Sequence, residues 1–193
     1  MNTQASQKPT VRLGVERLTE LRGADLHDLC DAADAAILDG GGFGWLQPPA
    51  RQVMESYWRG VLLVPERGLF AARIDGVICG SAQLLRPARN QESRAFAAQL
   101  QHAFIAPWAR GHGLARQLTE LVEASARDEG FAVLNLDVRE TQTAAIALYE
   151  SLGYQRWGVH PNYALVGGKI IAGHYYTKRL IEDPTQSRRG GAR

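Results

Sequence analysis

From Val11 to Leu18 apolar and polar residues alternate at every second position, the period of a half-buried strand. Thr19 then stands where a cap would, ahead of a stripe of Leu21, Leu26, Leu29, Ala33 and Ile37 that predicts a helix. The stretch "DGGGFGWLQPP" (39–49) breaks every period with four glycines and reads as a loop, and Val53, Met54, Tyr57 and Trp58 mark a second helix over about 49–59. "GLFAARIDGVICGSAQLLR" (68–86) is two β-rich runs around Asp75-Gly76, a pair suited to a type I′ turn, and predicts an antiparallel hairpin. After a polar stretch at 87–94, "AAQLQHAFIA" (97–106) gives another strand, and Leu114, Leu118, Leu121, Val122 and Ser125 give a helix stripe. "FAVLNLDV" (131–138) is apolar enough for a central strand; a helix through Ala145, Ile146, Leu148, Tyr149 and Leu152 follows, then strands over about 153–160 and 170–180. No internal repeat interrupts this order.

Composition narrows the picture. A chain of 193 residues, 45% hydrophobic, can bury one good core, which predicts a single domain. The 22 Lys+Arg against 20 Asp+Glu leave a formal charge of +2, too even for a nucleic-acid surface. Cys30 and Cys79 have no Cys-x-x-Cys spacing and read as reduced core thiols. No apolar segment resembles a secretory signal or a membrane span, so a cytoplasmic protein with no membrane partner is expected. Residues 1–10 and the tail from 183 to 193, with its three arginines, lack any hydrophobic period and read as flexible ends, the second one basic.

The candidate chemistry sits where a strand becomes a helix. In "FIAPWARGHGLARQL" (104–118) two glycines and an arginine occupy the junction. The first amides of a helix have no internal partner and face the positive end of its dipole, so such a junction suits phosphate, and glycine lets the ligand approach closely. No Lys-Ser/Thr follows, which disfavours a nucleotide-hydrolysing loop, and GHGLAR carries arginine where a dinucleotide fingerprint needs a small residue. Alone, the turn could equally serve only to reverse the chain.

Two blocks taken together change this. "RGHGLA", preceded by "FIAP", and "LDVRETQTAAIALYESLGYQ" (136–155) resemble the GNAT superfamily of acetyl-CoA-dependent N-acetyltransferases over about residues 11–182. More narrowly, "NLD", "SAQL" and "DGGGFGW" are similar to the tabtoxin-resistance branch. The resemblance implies one α+β domain with a mixed sheet of about seven strands and about four flanking helices. It implies that Arg110, Gly111, His112, Gly113, Leu114 and Ala115 cradle the pyrophosphate, and that Phe104 and Ile105 pair with the pantetheine arm beside a V opened between two parallel strands. Gln142 departs from the asparagine common at its position but keeps an amide for the pantetheine. Tyr149 matches the tyrosine placed beside the cofactor sulfur.

Acetyl transfer needs a neutral amine, an activated carbonyl and a proton for the departing thiolate. Tyr149 is the candidate acid and Asp137, which interrupts an apolar strand beside the inferred split, the candidate base. Each has a plainer reading, Tyr149 as a core tyrosine and Asp137 as a cap or an ion-pair partner of Arg139. His102 is a second candidate base, or a packing residue. Phe43, Trp45, Tyr57, Trp58 and Tyr163 are candidates for the acceptor pocket, or ordinary core. The remaining histidines have no metal-ligand spacing and no GxSxG elbow occurs, so neither a metal nor an acyl-enzyme is expected. The expected acceptor is a small molecule bearing a primary amine. A protein Lys or N-terminal acetyltransferase, a non-catalytic acetyl-CoA sensor and a homodimer all stay open.

Overall fold

The computed structural model describes residues 11–41 and 44–181. The expectations for the two ends and for Phe43 fall outside the described residues. Seven strands form one mixed sheet in the order β1-β2-β3-β4-β5-β7-β6: β1 Leu13–Leu18, β2 Arg67–Ile74, β3 Val77–Leu85, β4 Ala97–Ile105, β5 Val133–Arg139, β6 Gln155–Val166 and β7 Lys169–Arg179. Helices α1 (Asp25–Leu38) and α2 (Arg51–Leu63) pack on one face, and α3 (Leu114–Asp128) and α4 (Thr143–Ser151) on the other. This is the α+β architecture expected.

The two-residue period of β2 divides its side chains between the two cores. Leu69 and Ala71 join Leu29, Met54 and Trp58 beneath α1 and α2, while Phe70 and Ala72 join Leu114, Leu118 and Val122 beneath α3. Burying each large apolar side chain is worth about 1.5–3 kcal/mol. Cys30 and Cys79 are buried free thiols, and burial pushes both up to about 11.

Two local expectations are corrected. The first helix begins at Asp25, because Gly23 takes a left-handed φ of 51° and stops any continuation from Thr19; Asp25 instead folds back, its carboxylate accepting from the Arg22 N–H at 3.0 Å. The sixth strand runs on to Val166, past Pro161. Proline is tolerated there because β6 is an edge strand whose pairing with β7 shifts register between His160 and Ala164. The β2–β3 turn is as expected, with positive φ at both Asp75 and Gly76.

One departure from regularity positions everything else. The parallel strands β4 and β5 pair only from Ala97–Gln99 to Val133–Asn135 and then diverge. Near the divergence, β3 advances two residues from Ser81 to Gln83 while β4 spends three from Phe104 to Gln101, a bulge that places His102 at φ 49°. Gly80 makes this possible: a Cβ there would stand 2.6 Å from the Phe104 carbonyl oxygen and collide with Ile105. The bulge turns the last residues of β4 away from β5.

Candidate active site

The divergent strands enclose a cleft of about 550 Å³. Beyond Gln99 the edge of β4 that faces β5 has no strand partner among the described residues, so backbone groups of this edge up to the Ile105 amide are open to an extended ligand. The side chains of Phe104 and Ile105 are buried in the two cores, leaving only their backbone for the role expected of them.

At the far end of β4 the chain turns through Gly111 (φ 83°) and Gly113 (φ 74°) into α3. Gly113 is the N-cap and, having no side chain, caps nothing; the amides of Leu114, Ala115 and Arg116 precede the first helical bond, from Gln117 N–H to the Gly113 carbonyl at 3.2 Å. A Cβ at Gly111 would meet nothing within 4 Å and one at Gly113 only the tip of Gln117, so the space above the turn is open. Arg110 fastens the turn from below: its Nε–H donates to the Ile105 carbonyl (3.3 Å) and its guanidinium pairs with Asp39 at 2.7 Å. The Nδ1 of His112 faces the Arg110 and Ala109 carbonyls at 3.1 and 3.3 Å, the geometry of a protonated Nδ1 curled on its own turn. Open amides and bare glycines above a braced floor fit a pyrophosphate.

Gln142 lines the cleft at the start of α4, and its Nε2–H donates to the Gly40 carbonyl at 2.9 Å. Tyr149 lies in the cleft wall, 7% exposed, with its ring edge-on to Tyr154 at 5.6 Å. Burial, and to a lesser degree the charge of Asp137, pushes its phenol up to about 12. It therefore keeps its proton at neutral pH.

Asp137 is not where the reasoning about burial placed it. Leu134, Leu136 and Val138 point into the core beneath α3 and α4, so the alternation of β5 turns Asp137 to the opposite, exposed face. There it lines the cleft and accepts a hydrogen bond from the Tyr163 hydroxyl. Burial first, and Asp137 second, raise the Tyr163 phenol well above its ordinary value. The tyrosine is aimed by Gly173 on β7: a Cβ on Gly173 would stand 2.8 Å from Tyr163 Cβ and nearer still to the ring, so only glycine gives the ring its seat.

The opposite wall of the cleft begins with His102, held half-buried at the bulge with its ring 6.1 Å from that of Tyr57. Burial and then the charge of Arg67 lower its pKa, with Asp137 opposing. Tyr57 accepts from Gln83 Nε2 at 2.7 Å, and Gln83 Oε1 accepts from Arg67 at 2.6 Å. Trp45 packs edge-on to Tyr57 at 5.2 Å, whereas Trp58 is fully buried and packs near Phe104 as ordinary core. Of the four candidate aromatics among the described residues, Tyr163 is the one that lines the cleft, while Tyr57 stands against His102 and Trp45 against Tyr57. Gly80, Gly173 and Gln83 were not anticipated. Glycine inside a strand pattern is a recognised sign of close approach, and "ICGSA" and "IAGHYY" both carry it.

A split sheet, an open turn at a helix start and a protonated tyrosine beside an exposed carboxylate suit an acyltransferase that uses a CoA thioester. Residues 30–154 match the acetyltransferase (GNAT) family, and the chain belongs to it. It is an acetyl-CoA-dependent N-acetyltransferase acting on amines. An uncharacterized N-acetyltransferase of Azospirillum brasilense, from the hisH-hisA intergenic region, is 67% identical over 128 residues, 66% of this chain and 76% of that protein. An N-acetyltransferase of Staphylococcus aureus Mu50 has the same fold at a TM-score of 0.76 and 16% identity, over 88% of this chain and 99% of that one. So has yncA of Salmonella typhimurium, solved with its cofactor acetyl-CoA, at a TM-score of 0.73 and 17% identity, over 89% and 96% of the two chains. No described helix is long and apolar enough to cross a membrane.

Proposed function

We propose that the chain transfers the acetyl group of acetyl-CoA to the primary amine of a small molecule by direct attack, with both substrates bound together. The observation that carries this reading is the meeting of Asp137 and Tyr149 on one cleft, the carboxylate exposed and the buried phenol pushed up to about 12. Acetyl-CoA supplies the activated acyl carbon. The turn from Arg110 to Ala115 binds its pyrophosphate, the free edge of β4 at Phe104 and Ile105 and the amide of Gln142 hold its pantetheine arm, and an amide of that edge polarises the thioester carbonyl. Asp137, exposed and facing the acceptor side, takes one proton from the bound ammonium so that the neutral amine attacks; the new N–C bond forms as the C–S bond breaks, the Tyr149 hydroxyl gives its proton to the sulfur, and the second proton, shed by the nitrogen as the amide forms, restores the Tyr149 hydroxyl.

A CoA-release assay over amino acids, short peptides, polyamines, aminoglycosides and histone-like peptides tests the reading. Asp137→Asn keeps the shape but removes the proton acceptor, so turnover should fall ~100-fold or more at neutral pH and recover as rising pH neutralises the amine. Activity confined to long peptides would refute the small-molecule acceptor. A deficit that does not change with pH would refute the base.

A further inference from the structure

Asp137 borders a second cavity, of about 500 Å³, on the side away from the cofactor turn. Its floor is the outward face of the paired ends of β4 and β5, where Gln99 stands opposite Asn135. Trp157 and Tyr175 form one wall, their rings 5.5 Å apart. Only two charged residues line it, Asp137 at the cleft end and Arg94 at the other. Arg94 comes from the short 3-10 turn Glu92–Arg94 before β4, and its guanidinium has no carboxylate partner among the described residues. It also lines the adjoining cavity of about 680 Å³, where the neighbouring Arg86 is already neutralised by Glu129 at 2.6 Å. The cavity thus carries an anion at the reacting end, neutral amides along its floor and an unspent cation at its far end.

The spacing follows from the strands. Asp137 lies four residues beyond Val133, which pairs with Ala97 just after the Arg94 turn, so at about 3.3 Å per residue the strand alone sets Asp137 about 13 Å beyond the foot of that turn. A free α-amino acid cannot span that distance; an extended chain of three or four residues, about 10–13 Å long, can, with its backbone amides over Gln99 and Asn135. We propose that the acceptor is a short zwitterionic peptide or peptide-like molecule, its amine at Asp137 and a carboxylate at Arg94. This rests on the assignment of Asp137 to the amine and names the acceptor class for that site.

The test is CoA release by the purified enzyme with glycine, Gly-Gly and Gly-Gly-Gly as acceptors, each as free acid and as C-terminal amide, with Gly-Gly-Glu amide as a side-chain carboxylate arm. The expected result is a kcat/KM at least about 10-fold higher for the tripeptide acid than for its amide, a preference absent for glycine. Arg94→Gln should erase the preference by raising KM for the acid alone, and Arg94→Lys should restore part of it. Good use of Gly-Gly-Glu amide would place the carboxylate on a side chain, poor use at the terminus; both support the proposal. Equal use of acids and amides, or an Arg94→Gln loss shared by both, overturns it while leaving the amine reading intact. No CoA release with any of these acceptors overturns it as well. Silence across the wider amine panel would bring down the small-molecule reading with it.

Discussion

Gly173→Ala is the smallest change that separates the seat of Tyr163 from the tyrosine itself. The added methyl would lie 2.8 Å from Tyr163 Cβ, against ordinary contact from 3.4 Å, so the side chain must retreat by at least about 0.6 Å at its root. The ring is closer to the methyl than Cβ is, and its hydroxyl swings further, on the order of 2 Å, beyond the reach of a hydrogen bond to Asp137. Overpacking costs about 1–3 kcal/mol, and a lost bond to a charged group adds little more here because Asp137 is solvated. The expected destabilisation is about 2 kcal/mol, or a Tm lower by about 4–8 °C for a domain of this size. Tyr163→Phe keeps the ring on its seat and should cost no more than about 1 kcal/mol. Thermal and urea unfolding of both variants, and of Gly173→Ala in a Tyr163→Ala background, give the check. With the ring removed, the Gly173→Ala penalty should fall by more than half; an equal penalty in both backgrounds would refute the seat.

The other expectations are more direct. Gly113→Asp forces a φ of 74° on a side chain and sets a carboxylate among the open amides of α3, so calorimetry should show acetyl-CoA binding abolished; affinity equal to the parent would remove the turn from the site. Tyr149→Phe should lower kcat by ~100- to 10,000-fold with little change in acetyl-CoA affinity, and unchanged turnover at saturation would leave Tyr149 a core tyrosine. His102 has a lowered pKa in the fold, so below its ordinary value of about 6.5 the unfolded chain binds more protons and stability falls as pH drops. His102→Gln should flatten that loss in urea midpoints measured at pH 7.5 and 5.5, and an unaltered pH dependence would contradict the burial argument.

What the sequence made legible follows from the range of the interactions involved. The cofactor turn was readable because glycines, arginine and helix start lie within a few residues of one another, and Tyr149 because its block is contiguous. Asp137 was identified for a reason the fold reverses: six apolar neighbours suggested burial, but alternation along a strand covered on one face sends every second residue out. The Asp137–Tyr163 bond, the Gly173 seat and the Arg67–Gln83–Tyr57 chain join residues 16 to 26 positions apart or on different strands, and no local pattern encodes such pairings. Thr19 failed as a cap because a later glycine, Gly23, resets the helix start. Trp58 and Tyr57 are adjacent, yet Trp58 is fully buried while Tyr57 reaches Gln83 and His102, because neighbouring residues on a helix point about 100° apart.

The divergence of β4 from β5 also gives the sheet a third edge, in its middle. Ordinary edges lie at the rim and are guarded by charge, proline or twist, as β6 is by Pro161. The inner edge from Leu100 to Ile105 carries no proline and no charge but His102, and in the proposed function it is the pantetheine arm that lies along it. In hydrogen-exchange terms the slowest and fastest amides of β4 are therefore neighbours on one strand: Gln99, laddered on both sides, and the residues just beyond it, laddered on one. If the cosubstrate binds as proposed, it closes this seam, and exchange in the half of β4 that the unliganded fold leaves open should slow most on its addition.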